Sequence, residues 1–522
     1  MQGAGKIFFG KPILCNEKLI LAPRRKEKTI KNAGRFFKCL DNRENLWYHI
    51  CCITTQSHIG KDTHTYMKIG FISLGCPKNQ LDTEVMLHEV VAAGYELTSE
   101  DTEADIIIIN TCAFIESAKQ EAIDNILDEA WLKENRSLKG IIVTGCLAER
   151  YREQILDELP EVDALLGVGS IHHIVDAIRA VEEQSRRKSV RPADKYRSFE
   201  DKNTVALGGD RVLTTPDYAA YLKIAEGCDN RCAYCAIPSI RGRFRSRPME
   251  DLVAEAKDMD ALGVKELTLV AQDTTRYGID LYGRYALADL IRAITEATSI
   301  PWIRVLYCYP DKITDELVEE FRTNPRLLKY IDLPLQHISD RMLRAMNRHG
   351  DSAMIRSVLA KLRSVEGMVI RTTFIVGFPG ETEEDFNELA DFLAEAKFEH
   401  AGVFTYSREE DTPAYDFPDQ IDEQIKQDRM DVLMRTQMNI NTARNESRIG
   451  SVIQVLCEAY DPVGECYYGR SLEDAPDIDG KVFFRYNAVE NERLAPGSLL
   501  YVKIREVVDY DVYGFAMKSD AT

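Results

Sequence analysis

The sequence predicts a multidomain α/β protein: an N-terminal parallel-sheet α/β domain, a partial (β/α)6 barrel and a small antiparallel β-barrel at the C-terminus. Short apolar runs alternate with helical segments up to residue 182 and again from Tyr221 to Tyr406, which is the rhythm of parallel βαβ units. Short alternating strands without helices between them then run from Ile449 to Lys518, as in a small closed barrel. A chain of 522 residues is also long enough for several domains.

Residues 1–66 differ from the rest of the chain in charge and in pattern. They contain 12 lysines and arginines against 5 aspartates and glutamates, a net charge of +7. They show no helical or strand period, whereas Met67 leads directly into the strand-like segment Lys68–Leu74. We therefore expect Met67 to be the functional start and residues 1–66 to be a basic leader that is unstructured or not native. A basic targeting arm is the alternative.

The remaining patterns define three domains and a linker. Residues 67–182 form the N-terminal domain, and the polar, Arg- and Ser-rich stretch 183–216 is predicted to be a linker. Six strand-and-helix units fall within residues 217–446, and barrels of this type carry their functional residues at the carboxyl ends of the strands. The C-terminal β-barrel is expected over residues 449–518.

Composition excludes several classes of partner. The net charge is −19, whereas nucleic-acid binders usually present a basic face, so we expect no DNA partner. No apolar stretch approaches the roughly 20 residues that span a bilayer, and no secretory signal is visible, so we expect no membrane partner either. Thirteen cysteines without a secretion signal favour metal binding or catalysis over disulfides, and therefore a cytoplasmic location.

The strongest motif is the triplet Cys228-x3-Cys232-x2-Cys235, in the loop after the first barrel strand. Three thiolates can hold three irons of a 4Fe-4S cluster and leave the fourth iron open to the amino and carboxylate groups of S-adenosylmethionine. An electron from such a cluster cleaves the sulfonium and yields a 5′-deoxyadenosyl radical. A zinc site would need a fourth Cys or His nearby, which the following AIPSIRGRFRSRP lacks; three core cysteines are the other alternative.

Three further cysteines are distant in sequence but occupy equivalent places. Cys76, Cys112 and Cys146 each end a predicted strand, in the strings ISLGC, IINTC and IVTGC. The carboxyl ends of parallel strands lie along one edge of a sheet, so these thiols can converge and ligate a second 4Fe-4S cluster. The alternative is that each is a small buried hydrophobic residue. Three equivalent positions favour the cluster.

Other candidate residues carry weaker signals. Cys308 follows a barrel strand but is solitary there, and Cys457 and Cys466 have no partner pattern, so core packing is the better interpretation of all three. Four arginines in the run RGRFRSRP could contact a carboxylate of the substrate or of the cofactor. For any one of them, a solvated edge is the slightly favoured alternative. These arginines are Arg241, Arg243, Arg245 and Arg247.

The cysteine spacing resembles that of the radical-SAM superfamily, and the order of domains resembles the methylthiotransferases, whose C-terminal β-barrel is called a TRAM domain. The likeness runs from Met67 to about Lys518 and includes the strings SLGCPKNQLDTE, NTCAFIESAK, TGCLAERY, LPLQHISDRMLRAMNR, FIVGFPGETEEDF and FTYSREEDTPAY. It implies that Tyr234 lies near the adenine and that Gln272 and Asp273 help to hold the cofactor. Ordinary hydrogen bonding at the barrel mouth is the alternative for Gln272 and Asp273.

The resemblance also implies a reaction. Methylthiotransferases use one S-adenosylmethionine for the radical and another as methyl donor, with sulfur delivered at the N-terminal cluster. They need a sulfur donor and a low-potential electron donor such as flavodoxin or ferredoxin. Two clusters must then face one cavity, with the substrate entering between the domains.

Charge separates the branches of this family. From Ser451 to Thr522 there are 7 Lys and Arg against 13 Asp and Glu, a net charge of −6, whereas a barrel that binds tRNA should be basic. This acidic tail and the RimO-like string GRSLEDAPDIDG favour the branch that modifies the β-carbon of an aspartate in the basic ribosomal protein uS12. The alternatives are a MiaB-like tRNA adenosine methylthiotransferase and a non-catalytic ribosome- or RNA-binding iron-sulfur protein.

Overall fold

The computed structural model describes residues 67–187, 191–486 and 493–517. The predictions for residues 1–66 concern a segment outside the described part of the chain. Within the described ranges, none of the helices is both long enough and apolar enough to cross a membrane.

A six-stranded parallel sheet forms the N-terminal part of the structure. Its strands are β1 (Lys68–Ser73), β2 (Glu96–Thr98), β3 (Ile106–Thr111), β4 (Gly140–Gly145), β5 (Ala164–Leu166) and β6 (Tyr196–Ser198). They lie in the order β2-β1-β3-β4-β5-β6. The helices around them are α1 (Pro77–Ala92), α2 (Glu116–Asn135), α3 (Cys146–Tyr151), α4 (Glu153–Glu158) and α5 (Ile174–Ser185). Every residue of β3 and β4 is buried because apolar cores cover both faces of the sheet, as the sequence predicted.

The predicted linker 183–216 contributes to this sheet. It contains β6, which pairs in parallel with β5. Its sequence, YRS, is too short to carry a strand period, so the pattern did not indicate this strand. Farther along, Thr214 donates its backbone N–H to Glu84 of α1 at 2.8 Å. Residues 191–216 therefore form an ordered connection along the N-terminal sheet, while the domain boundaries stay predictions.

The second sheet is the predicted partial barrel. Its strands and an adjoining short antiparallel pair are β7 (Ala219–Lys223), β8 (Ala225–Glu226), β9 (Arg245–Ser246), β10 (Glu266–Val270), β11 (Trp302–Val305), β12 (Leu327–Asp332), β13 (Val369–Val376) and β14 (His400–Thr405). Six of them form an open parallel sheet in the order β14-β13-β12-β11-β10-β7. The helices of this region are α6 (Ile237–Arg241), α7 (Met249–Ala261), α8 (Ile279–Tyr282), α9 (Leu287–Ala297), α10 (Asp315–Thr323), α11 (Asp340–Ala345), α12 (Ser352–Arg363), α13 (Glu383–Ala396) and α14 (Glu423–Ser447).

A closed five-stranded barrel follows α14. Its strands are β15 (Val452–Asp461), β16 (Cys466–Ser471), β17 (Val482–Arg485), β18 (Leu499–Val508) and β19 (Asp511–Ala516). All neighbouring strands are antiparallel except β17 and β19, which are parallel. The prediction of an antiparallel barrel needs this correction: β19 pairs with β18 in a hairpin, so it runs in the same direction as β17 and closes the barrel beside it.

The segment 472–479 between β16 and β17 packs into the concave face of the second sheet. Tyr330 donates its hydroxyl hydrogen to Asp479 at 2.6 Å, and Arg371 lies 3.5 Å from the same carboxylate. His400 lies 3.4 Å from Asp479 and 3.8 Å from Asp474. This corrects the interpretation of the acidic string GRSLEDAPDIDG: the side chains of Asp474 and Asp479 are only 12% and 3% exposed and face the barrel, so these two carboxylates are not available to a basic partner.

Candidate active site

The first cysteine trio lies in one loop between β8 and α6, at the carboxyl end of β7. Cys228, Cys232 and Cys235 are all free thiols. Burial, with smaller contributions from the nearby Asp273 and Cys232, raises the pKa of Cys228 to about 11. Burial also raises the pKa of Cys235, as do Cys232 and Cys228. The structure therefore brings the three thiols close enough to affect one another's charge.

Asp273, at the end of β10, fixes the position of this loop. Its carboxylate is fully buried and accepts a hydrogen bond from the side chain of Asn230, within the cysteine loop, at 2.7 Å. The other carboxylate oxygen accepts from the Thr275 hydroxyl at 2.6 Å. The backbone N–H of Asn230 donates in turn to the Cys228 sulfur at 3.5 Å. Both oxygens of Asp273 thus already have protein donors, which fits a positioning role.

Two predicted cofactor-binding side chains, Tyr234 and Gln272, lie in or near the same loop. Tyr234 is half-buried beside Met342 and Met346. Gln272 donates its amide to Glu226 at 2.5 Å, while its buried amide oxygen has no hydrogen-bond partner among the described residues and could accept one from a ligand.

Sequence reasoning missed two neighbours of Cys232. The Arg348 guanidinium lies 3.9 Å from its sulfur, and the Tyr309 hydroxyl lies 3.7 Å from it. Arg348 also stacks over the Tyr309 ring, 4.0 Å from its centroid. The family-like string LPLQHISDRMLRAMNR, which ends at Arg348, was the available signal.

The second trio is assembled from three strand ends. Cys112 directly follows β3, Cys146 directly follows β4, and Cys76 lies three residues beyond β1. Because β1, β3 and β4 are adjacent parallel strands, their carboxyl ends meet at one edge. Burial, with smaller contributions from Cys146 and Cys76, raises the pKa of Cys112 to about 12. All three are free thiols. The structure thus brings this trio together as well.

Glycines make room for the second trio. Gly75 and Gly145 precede Cys76 and Cys146, and both have positive φ, +90° and +91°. A Cβ on Gly75 would lie 3.0 Å from the Cys112 sulfur. A Cβ on Gly145 would lie 2.3 Å from the Asn110 side-chain oxygen. Both turns therefore require glycine: Gly75 leaves space beside the Cys112 sulfur, and Gly145 leaves space for the end of β3, which Cys112 follows.

Neither trio has the geometry of a single-ion site. Across the described ranges, no three His, Cys, Asp or Glu side chains converge closely enough to hold one metal ion. A 4Fe-4S cluster takes one thiolate per iron, so its ligands stand farther apart than those of one zinc. Two trios of neighbouring free thiols, without a fourth Cys or His, fit such clusters with one open iron each.

Arg241 joins the two trios. It lies six residues after Cys235, at the end of α6, and is only 3% exposed. Its guanidinium donates to Asp82 at 2.5 Å and to Asn79 at 2.9 Å, both on α1, and lies 3.4 Å from the Cys146 sulfur. A side chain from the loop region of the first trio therefore contacts a thiol of the second.

A closed set of buried charges surrounds this contact. Lys223 pairs with Asp82 at 2.5 Å and with Glu226 at 2.8 Å, and Arg241 lies 2.5 Å and 3.5 Å from the same two carboxylates. Two cations and two anions thus neutralise one another at the boundary between α1 and the barrel. Such full pairing is what makes burial of charge tolerable.

The prediction of a solvated edge for the arginine run was wrong for three of its four members. Arg241 is buried as described above, and Arg247 is buried against Glu255 at 2.7 Å. Arg245 is half-buried and donates to the Val205 carbonyl at 2.5 Å. Arg243 is exposed. The alternating pattern is that of a strand edge, but the 183–216 connection and α1 cover it with carbonyl and carboxylate acceptors.

The remaining described cysteines lie apart from the trios. Cys308 is buried in the main core of the barrel, 3.5 Å from the Thr274 hydroxyl. Cys457 is buried in the core of the C-terminal barrel. Core packing is confirmed for these two. Cys466 is half-buried in β16.

Family models match three consecutive parts of the chain. The uncharacterized protein family UPF0004 matches residues 68–167, the Radical SAM superfamily residues 222–393 and the TRAM domain residues 449–517. Among solved structures, the radical S-adenosylmethionine methyltransferase TsrM from Kitasatospora setae, with cobalamin and a [4Fe-4S] cluster bound, superimposes with a TM-score of 0.49. The identity is 12%, over 67% of this chain and 74% of that one.

Curated relatives align with this chain over almost their whole length. The "Ribosomal protein uS12 methylthiotransferase RimO" of Desulforamulus reducens is 48% identical over 449 residues, which is 85% of this chain and 98% of that protein. The chain belongs to the RimO methylthiotransferase family. The RimO of Thermoanaerobacter sp. is 46% identical over 446 residues, or 85% of this chain and 99% of that protein. The predicted family, fold class and enzyme class are confirmed: the chain is a radical-SAM methylthiotransferase, which works with iron-sulfur clusters and S-adenosylmethionine.

Proposed function

We propose that this enzyme replaces a hydrogen on the β-carbon of an aspartate residue of ribosomal protein uS12 with a methylthio group. One S-adenosylmethionine would serve for hydrogen removal and a second would supply the methyl group, while a separate donor supplies the sulfur. The relatives that align with this chain over almost their full length are named as uS12 methylthiotransferases, and this supports uS12 as the substrate.

The observation that carries the proposal is the contact of Arg241 with Cys146. We assign one 4Fe-4S cluster to Cys228, Cys232 and Cys235 and the other to the second trio, Cys76, Cys112 and Cys146. A single guanidinium spans from the end of α6, next to the first trio, to a sulfur of the second at 3.4 Å. The two ligand sets therefore share one region, as hydrogen removal and sulfur transfer at the same carbon require.

The bound groups supply radical chemistry that side chains cannot, and the chain's own residues position them. Arg348 and Tyr309 approach the Cys232 sulfur and stabilise negative charge there. Asp273 holds the first loop through Asn230. We assign Tyr234 to the adenine and the unpaired amide oxygen of Gln272 to a polar group of the cofactor. Asp273 would act on the cofactor through the loop.

The remaining assignments are also proposals. The enzyme would receive electrons from a low-potential donor such as flavodoxin or ferredoxin, and sulfur from a separate donor. It would work in the cytoplasm, where thiols stay reduced. We place the domain boundaries at 67–182, 217–446 and 449–518, with residues 183–216 connecting the first two domains.

A mass comparison in a deletion strain tests the function. Ribosomal protein uS12 and tRNA are isolated from the strain lacking this gene and from the same strain complemented with the wild-type chain or with Cys112→Ala. We expect uS12 to lose one methylthio group on deletion, to regain it with the wild type and not with the variant. A methylthio group missing from tRNA, with uS12 unchanged, would show that the tRNA branch is correct instead.

A further inference from the structure

Lys78 is a buried cation beside the second trio. It lies two residues after Cys76, in the first turn of α1, and only 7% of it is exposed. Its ammonium lies 3.2 Å from the ring centroid of Tyr307, which follows β11 at the carboxyl end of the barrel. The side chain therefore lies at the boundary between the N-terminal sheet and the barrel, two residues from a proposed cluster ligand.

Lys78 has no carboxylate partner in the part of the chain that the structure describes. The nearby buried charges pair among themselves: Lys223 and Arg241 with Asp82 and Glu226. Among the described residues, no carboxylate forms an ion pair with the Lys78 ammonium. Burying an ammonium group is costly unless an anion compensates it. The Cys76 thiolate lies close enough to act on the Lys78 ammonium, but a cluster would use it.

Other features around Lys78 also favour an anion. It lies at the N-terminus of the 16-residue helix α1, whose first turn contains no acidic residue and whose N-cap, Cys76, makes no side-chain capping bond. The free N–H groups and dipole of a helix N-terminus attract negative charge. Tyr307 is held in place, since its backbone N–H donates to Asp332 at 3.0 Å and its carbonyl accepts from Thr274 at 3.0 Å.

We propose that Lys78 binds the β-carboxylate of the substrate aspartate, with Tyr307 forming one wall of the site. This inference rests on the proposed function and deepens it. The carboxylate is bonded directly to the β-carbon, so an ammonium two residues from Cys76 would hold the reacting carbon beside the second trio. Lys78 would thus select aspartate and orient it, because an amide or an apolar side chain leaves the buried ammonium without its anion.

The test compares two substrates with two enzymes. Purified uS12 carrying Asp or Asn at the modified position is offered to the wild-type holoenzyme and to Lys78→Gln, and kcat/KM for methylthiolation and the affinity for uS12 are measured. We expect the wild type to prefer Asp by on the order of 100-fold. For Lys78→Gln, kcat/KM should fall about 100-fold with the Asp form of uS12 and change little with the Asn form, so that the preference for Asp disappears. Lys78→Arg should restore part of it.

Lys312 provides a matched control. It is also 7% exposed and also lies over a tyrosine ring, 4.6 Å from the centroid of Tyr309, but it has its own carboxylate, Asp311, at 2.7 Å. Lys312→Gln should leave the preference for Asp over Asn unchanged. Iron content and the electron paramagnetic resonance spectra of both clusters are recorded for every variant to show that the clusters are intact.

Each alternative has its own signature. If Lys78→Gln alters the spectrum of the second cluster and slows Asp and Asn substrates equally, Lys78 only balances cluster charge. The cleavage of S-adenosylmethionine is also measured in the absence of uS12. If Lys78→Gln raises the concentration of S-adenosylmethionine needed for this reaction, Lys78 binds the carboxylate of that cofactor instead. Either result, or an unchanged preference for Asp, overturns the inference. If the wild type modifies neither form of uS12, the proposed function fails instead.

Discussion

The two cysteine trios reach similar arrangements by opposite routes. Cys228, Cys232 and Cys235 lie within eight residues of one loop, so the chain brings them together before any tertiary structure forms. The second trio spans residues 76–146 and exists only where β1, β3 and β4 end side by side. The first trio therefore depends on one loop and its support from Asp273, while the second depends on the register and packing of a whole sheet.

The difference indicates how each trio responds to mutation. A change near the first trio should act through the loop, with little effect on the N-terminal sheet. A change at any of three strand ends, or at the side chains that join them, should disturb the second trio alone. Asn79 shows the dependence, since its amide donates to the carbonyls of Leu74 and Asn110 and so links two of the three strand ends.

The largest expected difference between the two trios appears when one cysteine is removed from either of them. We predict that Cys228→Ala and Cys112→Ala each lose about four of about eight irons per chain after anaerobic reconstitution, because each leaves one cluster with two ligands. Both should lose methylthiolation, but only Cys228→Ala should also lose cleavage of S-adenosylmethionine. Iron analysis and chromatography of the cleavage product measure this. Equal loss of cleavage in both variants would contradict the assignment of separate roles.

Removing Arg241 should disturb the connection between the trios. Arg241→Met leaves Asp82 and Glu226 with Lys223 alone, so we expect a loss of about 3 kcal/mol in the free energy of unfolding, measured with urea. Its loss should also change the paramagnetic resonance spectrum of the second cluster, since the guanidinium lies 3.4 Å from the Cys146 sulfur.

Arg247→Met is the matched control for Arg241. This arginine is also buried and also pairs with a carboxylate, Glu255, at 2.7 Å, but it has no described contact with a cysteine. It should lower stability to a similar extent and leave both cluster spectra unchanged. Identical spectra in both variants would show that Arg241 only holds the domains together.

A glycine substitution tests the strand-end geometry of the second trio. Gly145→Ala places a Cβ 2.3 Å from the Asn110 side-chain oxygen and 2.5 Å from the Thr111 carbonyl oxygen, at a φ of +91°. We expect this substitution to lower the free energy of unfolding by about 2 kcal/mol and to reduce the iron bound at the second trio. Gly94→Ala is the control, because Gly94 has a φ of +88° but no atom within 4 Å of an added Cβ. It should lower the free energy of unfolding by about 1 kcal/mol and leave the iron content unchanged. Full iron content in Gly145→Ala would mean that the strand ends tolerate displacement.

The smallest effect concerns the charges between the trios. Burial acts to raise the pKa of Glu226, but Lys223 and Arg241 lower it from 4.5 to about 2. A carboxyl with a depressed pKa stabilises the folded state above its unfolded pKa, and this contribution disappears as the pH falls from about 4.5 to about 2. We expect the wild type to lose on the order of 2 kcal/mol in this range through Glu226, and Glu226→Gln to lack that part of the acid dependence.

Urea unfolding at several pH values measures this dependence. Asp194→Asn is the control, because the Asp194 carboxylate also has a lowered pKa, caused by hydrogen bonding from Arg191, but lies on the exposed surface. It should retain the acid dependence of the wild type. A Glu226→Gln variant with the same acid dependence as the wild type would show that the paired charges contribute no net stability in this range.

The sequence by itself determined what depends on spacing and period. Period and apolar runs fixed the two parallel sheets and the C-terminal barrel, because buried strands need continuous or alternating apolar residues whatever surrounds them. The triplet at Cys228 and the strand-end placement of Cys76, Cys112 and Cys146 predicted which thiols would come together in two trios, because spacing within a loop and position at a strand end can be read from the sequence. Their role as cluster ligands stays a proposal.

Only the tertiary structure decided what depends on contacts between distant segments. It turned the supposedly solvated arginine run into a buried junction at Arg241, and it turned two carboxylates of the acidic string at residues 469–480 inward against Arg371 and His400. It also buried Lys78 without a carboxylate partner among the residues that the structure describes. Whether a charged side chain meets water, a partner charge or neither is decided by packing across domains, and no local pattern in the sequence encodes it.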